Sequence, residues 1–68
     1  MSKTVILNGR EKEVSASDLG QLMLELKVDR MLCVIEIDGK IVNRSDDPAS
    51  VKIDAGSVIE VLKFTGGG

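Results

Sequence analysis

The residues of this 68-residue chain that are best suited to chemistry are its last three, Gly66, Gly67 and Gly68. Before them, and before Thr65, lie residues 58–64, which are rich in strand-forming Val and Ile and end in Phe. Glycine lets a backbone turn freely and approach another surface closely. The reactive group that such a tail presents is the carboxylate of Gly68, and we predict that it is the working group. The alternative is a frayed chain end, which is common in proteins.

Other kinds of chemistry are restricted by the composition, because the chain contains no His and a single Cys. Ser-His-Asp catalysis, Cys-His catalysis and most metal sites are therefore excluded. Cys33 lies among apolar residues, so we expect a buried structural thiol and no nucleophile. Asp46 and Asp47 precede Pro48 and indicate a solvated turn. We expect no metal site, no bound cofactor and no self-contained enzyme.

The charge pattern argues against two classes of partner. Nine Lys and Arg residues against eleven Asp and Glu residues give a net charge of −2, and the basic residues are scattered. With one aromatic residue there is also no base-stacking platform, so we expect no nucleic-acid partner. The longest purely apolar run, residues 31–35, is far shorter than the ~20 residues that span a bilayer. We expect a cytoplasmic monomer without a membrane partner.

Alternating hydrophobicity and two turn signals predict a strand-rich chain. Asn8-Gly9 and Asp38-Gly39 are typical of tight hairpin turns. The short, polar return strand after the first turn suits the edge of a sheet. Residues 51–53 are either a short strand or a single extended crossing. The predicted strands are residues 3–7, 11–14, 32–37 and 40–43, and a final strand that begins at residue 58.

One helix is predicted between the first two pairs of strands. Ser17 is its predicted N-cap, with Asp18 in the first turn, and a start at Ser15 is the alternative. Gly20 costs ~1 kcal/mol relative to Ala in a helix, so packing against the sheet must hold this helix. The residues that form its apolar face are Leu19, Leu22, Met23 and Leu26.

The order of these elements predicts the fold. A helix with one apolar face packs across one face of a mixed sheet, and the first and last strands are apolar enough to lie in its middle. This is the ββαββ order of an α+β, ubiquitin-like β-grasp fold. We expect one β-grasp domain over residues 1–65 and a flexible glycine tail over residues 66–68.

Two segments, which together extend to the chain end, resemble the small sulfur carriers of the ThiS family. In that family an apolar strand leads into an Asn-Gly turn, two apolar residues and Pro-Arg. In residues 33–44 of this chain, Asp38 replaces the Asn, Asn43 replaces the Pro, and Arg44 matches. Residues 55–68 are also similar, with a Gly-containing turn, a strand, a Phe and final glycines. Despite the match, Arg44 is predicted to be an ordinary surface charge, with a partner contact as the alternative.

The resemblance implies a carrier that is not itself an enzyme. A ThiF- or MoeB-like adenylating partner uses ATP and Mg²⁺ to convert the carboxylate of Gly68 to an acyl-adenylate. Sulfur from a persulfide donor then displaces AMP and leaves a thiocarboxylate. A thiazole synthase-like enzyme accepts the sulfur for thiamin biosynthesis.

Three alternatives to this role remain open. The related MoaD carriers of molybdopterin synthesis are similar, although they are usually longer and often carry Pro before the last glycines. Ubiquitin-like modifiers use the same fold and tail to form an isopeptide bond between the terminal glycine and a lysine. A non-covalent β-grasp domain with an inert tail is the third alternative.

The final strand is predicted to supply the contacts with the partner. Ile59 and Val61 share one face, and Glu60 marks the opposite face as the wetter one. Leu62 and Phe64 then lie exposed beside the tail, where apolar residues indicate docking. Packing of Phe64 on the sheet is an equal alternative. The predicted partner-binding residues are Leu62, Phe64, Thr65, Gly66 and Gly67.

Overall fold

The computed structural model describes residues 2–63, which form a mixed sheet with one α-helix packed against it. The helix, α1, spans Leu19–Leu26, and short 3₁₀ turns span Arg30–Leu32 and Pro48–Ser50. The predicted α+β, β-grasp fold is confirmed, with the helix between two hairpins. The strands are Lys3–Leu7 (β1), Arg10–Val14 (β2), Cys33–Ile37 (β3), Lys40–Ile41 (β4) and Val58–Lys63 (β5).

The strand that ends nearest the chain terminus lies in the centre of the sheet. The strand order is β2-β1-β5-β3-β4, so β5 is flanked by β1 and β3. It pairs with β1 in parallel and with β3 antiparallel. The prediction that the first and last strands lie inside the sheet is confirmed, and so is the polar edge strand β2.

The two hairpin turns have the backbone that their sequences predict. Asn8 and Gly9 have φ values of 49° and 81°, and Asp38 and Gly39 have values of 51° and 84°. Positive φ at both central residues is the requirement of a type I′ turn. Each turn also secures β5 through a side chain. The Val61 N–H donates to Asn8 Oδ1 at 2.8 Å, and the Val58 N–H donates to Asp38 Oδ1 at 2.9 Å.

The helix begins one residue later than predicted. Asp18, not Ser17, is the N-cap, and its Oδ1 accepts a hydrogen bond from the Gln21 N–H at 2.9 Å. The reason is a contact with residues 51–53: the Ile53 N–H donates to the Ser17 carbonyl, and Asp18 forms a β-bridge with Lys52. This bridge holds residues 17 and 18 extended, so the helix starts at Leu19. Residues 51–53 are therefore an extended crossing with an isolated bridge.

Two predicted strands are shorter in the structure. Leu32 does not belong to β3, because the Asp29 carboxylate caps the 3₁₀ turn that precedes the strand. The predicted strand at residues 40–43 ends at Ile41, because the chain then turns. The Arg30 guanidinium donates to the carbonyls of Asn43 and Asp46 and holds that turn. Both boundaries depend on capping and tertiary contacts that a strand pattern does not contain.

The core lies between α1 and the sheet. Leu19 and Leu22 are buried, and Met23 and Leu26 pack against the buried cluster, so the predicted helix face is confirmed. Gly20 has a packing reason, because a Cβ there would lie 3.2 Å from Asp18 Oδ1 and 3.6 Å from the Cβ of Pro48. The buried apolar residues are Val5, Val14, Ala16, Leu19, Leu22, Cys33, Ile35, Ile53 and Ile59.

We predict that the Asn8 side chain stabilises the fold by holding β5. Asn8→Gly keeps the positive φ but leaves the Val61 N–H without this acceptor, which lowers the free energy of unfolding by ~1 kcal/mol. Asn8→Ala adds the cost of a left-handed backbone, roughly 1–2 kcal/mol more. Urea unfolding of both variants measures the two terms separately. A glycine variant as stable as the wild type would contradict a stabilising role for the hydrogen bond.

Candidate functional site

The candidate site is the end of β5, where the described part of the chain leads into the glycine tail. The predicted reactive residue Gly68 and the predicted contact residues Phe64, Thr65, Gly66 and Gly67 lie outside the described residues. Leu62 lies within them. The structure therefore bears on the base of the tail and on the surfaces that surround it.

The base of the tail is anchored firmly. β5 pairs with β3 over five residue pairs, from Ile37↔Ile59 to Cys33↔Lys63. On the other side, β1 pairs only with Val58 and Ile59, and the Asn8 N–H donates to the Ile59 carbonyl at 2.9 Å. The Asn8 side chain then binds Val61, as described above. Hydrogen bonding to β3 therefore continues to Lys63, the last described residue.

The two faces of β5 have the predicted character. Ile59 is completely buried and Val61 is half-buried against the core. On the alternate positions Glu60 is exposed, and Val58 and Leu62 keep 46% and 53% of their surface exposed. The predictions that Ile59 and Val61 face the core and that Leu62 is exposed are confirmed.

Leu62 belongs to a larger apolar surface on the side of the sheet away from the helix. Val34 lies directly opposite Leu62 in the β3–β5 register, and Val58 lies opposite Ile6 in the β1–β5 register. Ile41 of β4 extends the surface and is 68% exposed. The exposure of Ile41 was not predicted, because a pattern of two apolar residues after a turn does not reveal which one faces solvent. Apolar side chains that are exposed together on one face of a sheet are typical of a binding site.

A groove lies on the helix side of the same strand end. Its volume is about 380 Å³. Most of its lining side chains are apolar, and Asn8 and Lys63 add polar groups to the lining. It lies beside the part of β5 that β1 does not pair, since the β1–β5 register ends at Ile59. The residues that line the groove are Leu7, Asn8, Leu26, Val28, Val61 and Lys63.

The other residues considered in the sequence analysis are buried in the fold, cap a turn or lie exposed on the surface. Cys33 is buried, and its Sγ donates to the Asp29 carbonyl at 3.3 Å, which agrees with the predicted structural thiol. Asp47 caps the 3₁₀ turn at Pro48–Ser50 by accepting from the Ala49 N–H. Arg44 is exposed at a second cavity, of about 400 Å³, between β3 and β4. Within residues 2–63, no group of three or more His, Cys, Asp or Glu side chains is arranged to hold a metal ion.

The helical segments are too short for a membrane. Over residues 2–63, none of them has the length and apolar character that crossing a bilayer requires.

Comparisons with known proteins agree with this architecture. The chain matches the model of the ThiS family over residues 5–68. Its structure is similar to the crystal structure of the thiamine biosynthesis protein ThiS from Geobacter metallireducens, with a TM-score of 0.78 and 25% sequence identity. That similarity covers 96% of this chain and 99% of the other. No curated protein sequence matches this chain significantly. Because the family match spans nearly the whole sequence and includes the glycine tail, the chain belongs to the ThiS family of small sulfur carrier proteins.

Proposed function

We propose that this protein carries sulfur on its C-terminal carboxylate for the synthesis of the thiamin thiazole. In this proposal Gly68 is adenylated by a partner enzyme and then converted to a thiocarboxylate. The observation that supports it is the central strand β5, which is paired as far as Lys63, immediately before the residues that lead to the glycine tail. The family match, which extends over that tail, supports the same conclusion.

The chemistry explains why an activating partner is needed. A carboxylate is a poor electrophile at neutral pH because it is an anion. Attack of a carboxylate oxygen of Gly68 on the α-phosphorus of ATP releases pyrophosphate and gives a neutral acyl group with AMP as leaving group. The outer sulfur of a protein persulfide displaces AMP, and a thiol then reduces the resulting disulfide to free the thiocarboxylate. ATP and Mg²⁺ are bound by the adenylating partner, and the carrier supplies the acceptor carboxylate.

Glycine residues suit the delivery of this carboxylate. The activated acyl group hydrolyses unless water is excluded, so the tail must enter a narrow site. The residues after Lys63 span at most ~3.3–3.6 Å each when extended, so the folded domain must dock close to that site. Gly66 and Gly67 offer a thin backbone for the passage. We propose that Phe64 and Thr65 contact the partner at its entrance.

Docking contacts must come from the folded domain, because holding the residues after Lys63 in one conformation in the partner's site costs roughly 1–2 kcal/mol per residue. Leu62 is the best-placed described residue, since it is about half exposed and immediately precedes Lys63. We propose that Leu62 binds an apolar site on the adenylating enzyme, and that a thiazole synthase-like enzyme later receives the sulfur from the same tail.

The first prediction of this proposal concerns the mass of the protein. Protein isolated from its host under thiol-trapping conditions should contain a species in which one oxygen is exchanged for sulfur, and deletion of Gly68 should abolish it. Thermal unfolding of the deletion variant should match that of the wild type, because the deleted residue lies beyond the paired strand. Intact-mass spectrometry measures the exchange.

Other masses would point to other functions. A series of conjugates joined through Gly68 to lysines would favour a ubiquitin-like modifier. Sulfur on Gly68 together with a requirement in molybdopterin synthesis would favour a MoaD-type carrier. Only the unmodified mass, with normal growth of a strain that lacks the tail, would contradict carriage and leave a non-covalent binding domain.

The second prediction concerns Leu62. Leu62→Ala should weaken binding to the adenylating enzyme by about tenfold, the effect of losing an apolar contact of 1–2 kcal/mol at an interface. Its stability should change little, because the side chain is already half exposed. Leu24→Ala is the matched control, since Leu24 is 81% exposed on the helix, away from β5. Equal affinities of the two variants, or a strong loss of stability in Leu62→Ala, would contradict the docking role.

A further inference from the structure

Charged residues in the strands are separated by sign between the two faces of the sheet. Side chains alternate along a strand, and the pairing registers assign each one to a face. The four acidic strand residues lie on the face away from α1, which we call the outer face: Glu11, Glu13, Glu36 and Glu60. The five basic strand residues lie on the helix side: Lys3, Arg10, Lys12, Lys40 and Lys63.

The registers support this assignment through buried neighbours. Lys12 is paired with Val5, which is completely buried, and Lys63 is paired with the buried Cys33. The Lys3 Nζ donates to the carbonyl of the buried Ile53, also on the helix side. Among residues 2–63, the strands therefore place acidic side chains and no basic ones on the outer face.

The outer face combines these acidic residues with the apolar surface described above. Ile6 lies opposite Glu11, Ile41 lies opposite Glu36, and Leu62 is two residues from Glu60 on the same face of β5. Glu13 is held at the border by hydrogen bonds from the hydroxyls of Thr4 and Ser2, which lower the pKa of its carboxyl group. The surface thus has an acidic pair, Glu36 and Glu60, near the middle of the sheet, with apolar side chains on both sides of this pair along β5.

This arrangement has a cost to the fold. Glu36 and Glu60 lie directly opposite each other in neighbouring strands. Like charges in that position destabilise a sheet. A basic residue at either position would give a favourable cross-strand pair instead. The fold therefore gives no reason for two acidic residues here, whereas binding to a positively charged partner does.

The negative charge of the outer face also limits the classes of partner that this face can bind. Two copies of this chain joined through their outer faces would bring acidic groups against acidic groups. Nucleic acids and anionic membranes are repelled for the same reason. A protein surface that carries Lys or Arg side chains among apolar ones is complementary both in charge and in polarity.

We propose that the outer face selects the adenylating partner by charge, and that the partner meets Glu36 and Glu60 with Lys or Arg side chains that lie within an apolar patch. This inference rests on the proposed function, because it names the surface chemistry of the enzyme that activates Gly68. Complementary charges across an interface raise the rate of association, and salt screens them. Glu36 and Glu60 are then residues that determine specificity, and Leu62 supplies apolar contact at the same surface.

The test measures binding of the full-length chain to the purified adenylating enzyme of the same organism, without ATP, so that no chemistry takes place. Glu36→Gln/Glu60→Gln should lower the association rate constant by roughly tenfold at low ionic strength. Added NaCl should lower the association rate constant of the wild type and reduce the difference between the rate constants of the two proteins. The double variant should also melt at a higher temperature than the wild type, because the opposed charges are gone.

Asp46→Asn is the control for net charge. Asp46 is exposed in the loop after β4, and its contact with Arg30 is made by the backbone carbonyl, which the substitution keeps. This variant should associate at nearly the wild-type rate. An equal slowing in Asp46→Asn and in each single glutamate variant would mean that only net charge matters, and would overturn the proposal.

NMR of the ¹⁵N-labelled chain then locates the contact. Signals of Val34, Glu60 and Leu62 should shift when the enzyme is added. Shifts confined to the helix side, an association rate that does not respond to salt, or no binding at all would overturn the proposal. Outer-face shifts on concentrating the chain alone would identify a second copy as the occupant and overturn it equally.

The same set of measurements separates this inference from the proposed function. If the enzyme adenylates Gly68 but binds the double variant as fast as the wild type, the selection by charge is wrong and the carrier function stands. If the outer face binds the enzyme as described but ATP and Mg²⁺ give no adenylate on Gly68, the inference stands and the proposed function is wrong.

Discussion

The structure depends on the hydrogen bonding of β5 in the centre of the sheet. Chain ends usually fray, because they lack partners on one or both sides. Here the last strand has β3 on one side, and β1 together with the Asn8 side chain on the other. The complete burial of Ile59 adds the apolar core to these hydrogen bonds. The strand Val58–Lys63 is therefore paired with β3 along its length, with β1 at its beginning, and with the Asn8 side chain at Val61.

The same strand separates the core from the proposed binding surface, because its side chains alternate between the two faces of the sheet. Ile59 faces the helix, while Glu60 and Leu62 face outward. A shift of one residue in register would exchange these sets and bury a carboxylate. The register is held where Asn8 and Asp38 each combine a type I′ turn with a hydrogen bond to β5. Glycine at either position would keep the turn and lose the bond, so these residues have a second role beyond the turn.

Much of this architecture follows from local sequence. Asn-Gly and Asp-Gly predict the hairpins because the required backbone angles belong to the turn residues themselves. The apolar spacing of α1 and the alternation in β5 likewise predict the core and the exposure of Leu62. The errors have distant causes: the helix start depends on the bridge between Asp18 and Lys52, and the end of β4 depends on Arg30.

In the candidate site, as in the fold, some features follow from the local sequence and others depend on residues far apart in the chain. The role of Gly68 was predicted from its chemistry and its place after a strand, and it stays a prediction because residues 64–68 lie outside the described part of the chain. The exposure of Leu62 could be predicted from one strand alone. The opposition of Glu36 and Glu60 could not, because it requires the register between two strands far apart in the sequence. The separation of charge between the faces likewise becomes visible only when all the strands are paired.

Energetic magnitudes suggest why an apolar patch alone is insufficient for docking. Holding five residues in one conformation in a partner's site costs roughly 5–10 kcal/mol, at 1–2 kcal/mol each. Full burial of an aliphatic side chain contributes ~1.5–3 kcal/mol. Val58, Leu62 and Ile41 are already partly buried, with 46%, 53% and 68% of their surfaces still exposed, so docking can bury only that remaining part. Their combined contribution is then about half of the full value, which is roughly 2–5 kcal/mol. In the proposed docking, the charges of the outer face and further contacts of the enzyme with the chain would supply the rest. Long-range attraction has a further advantage for a carrier that must visit two enzymes in turn: it speeds the encounter without slowing release as a large apolar contact would.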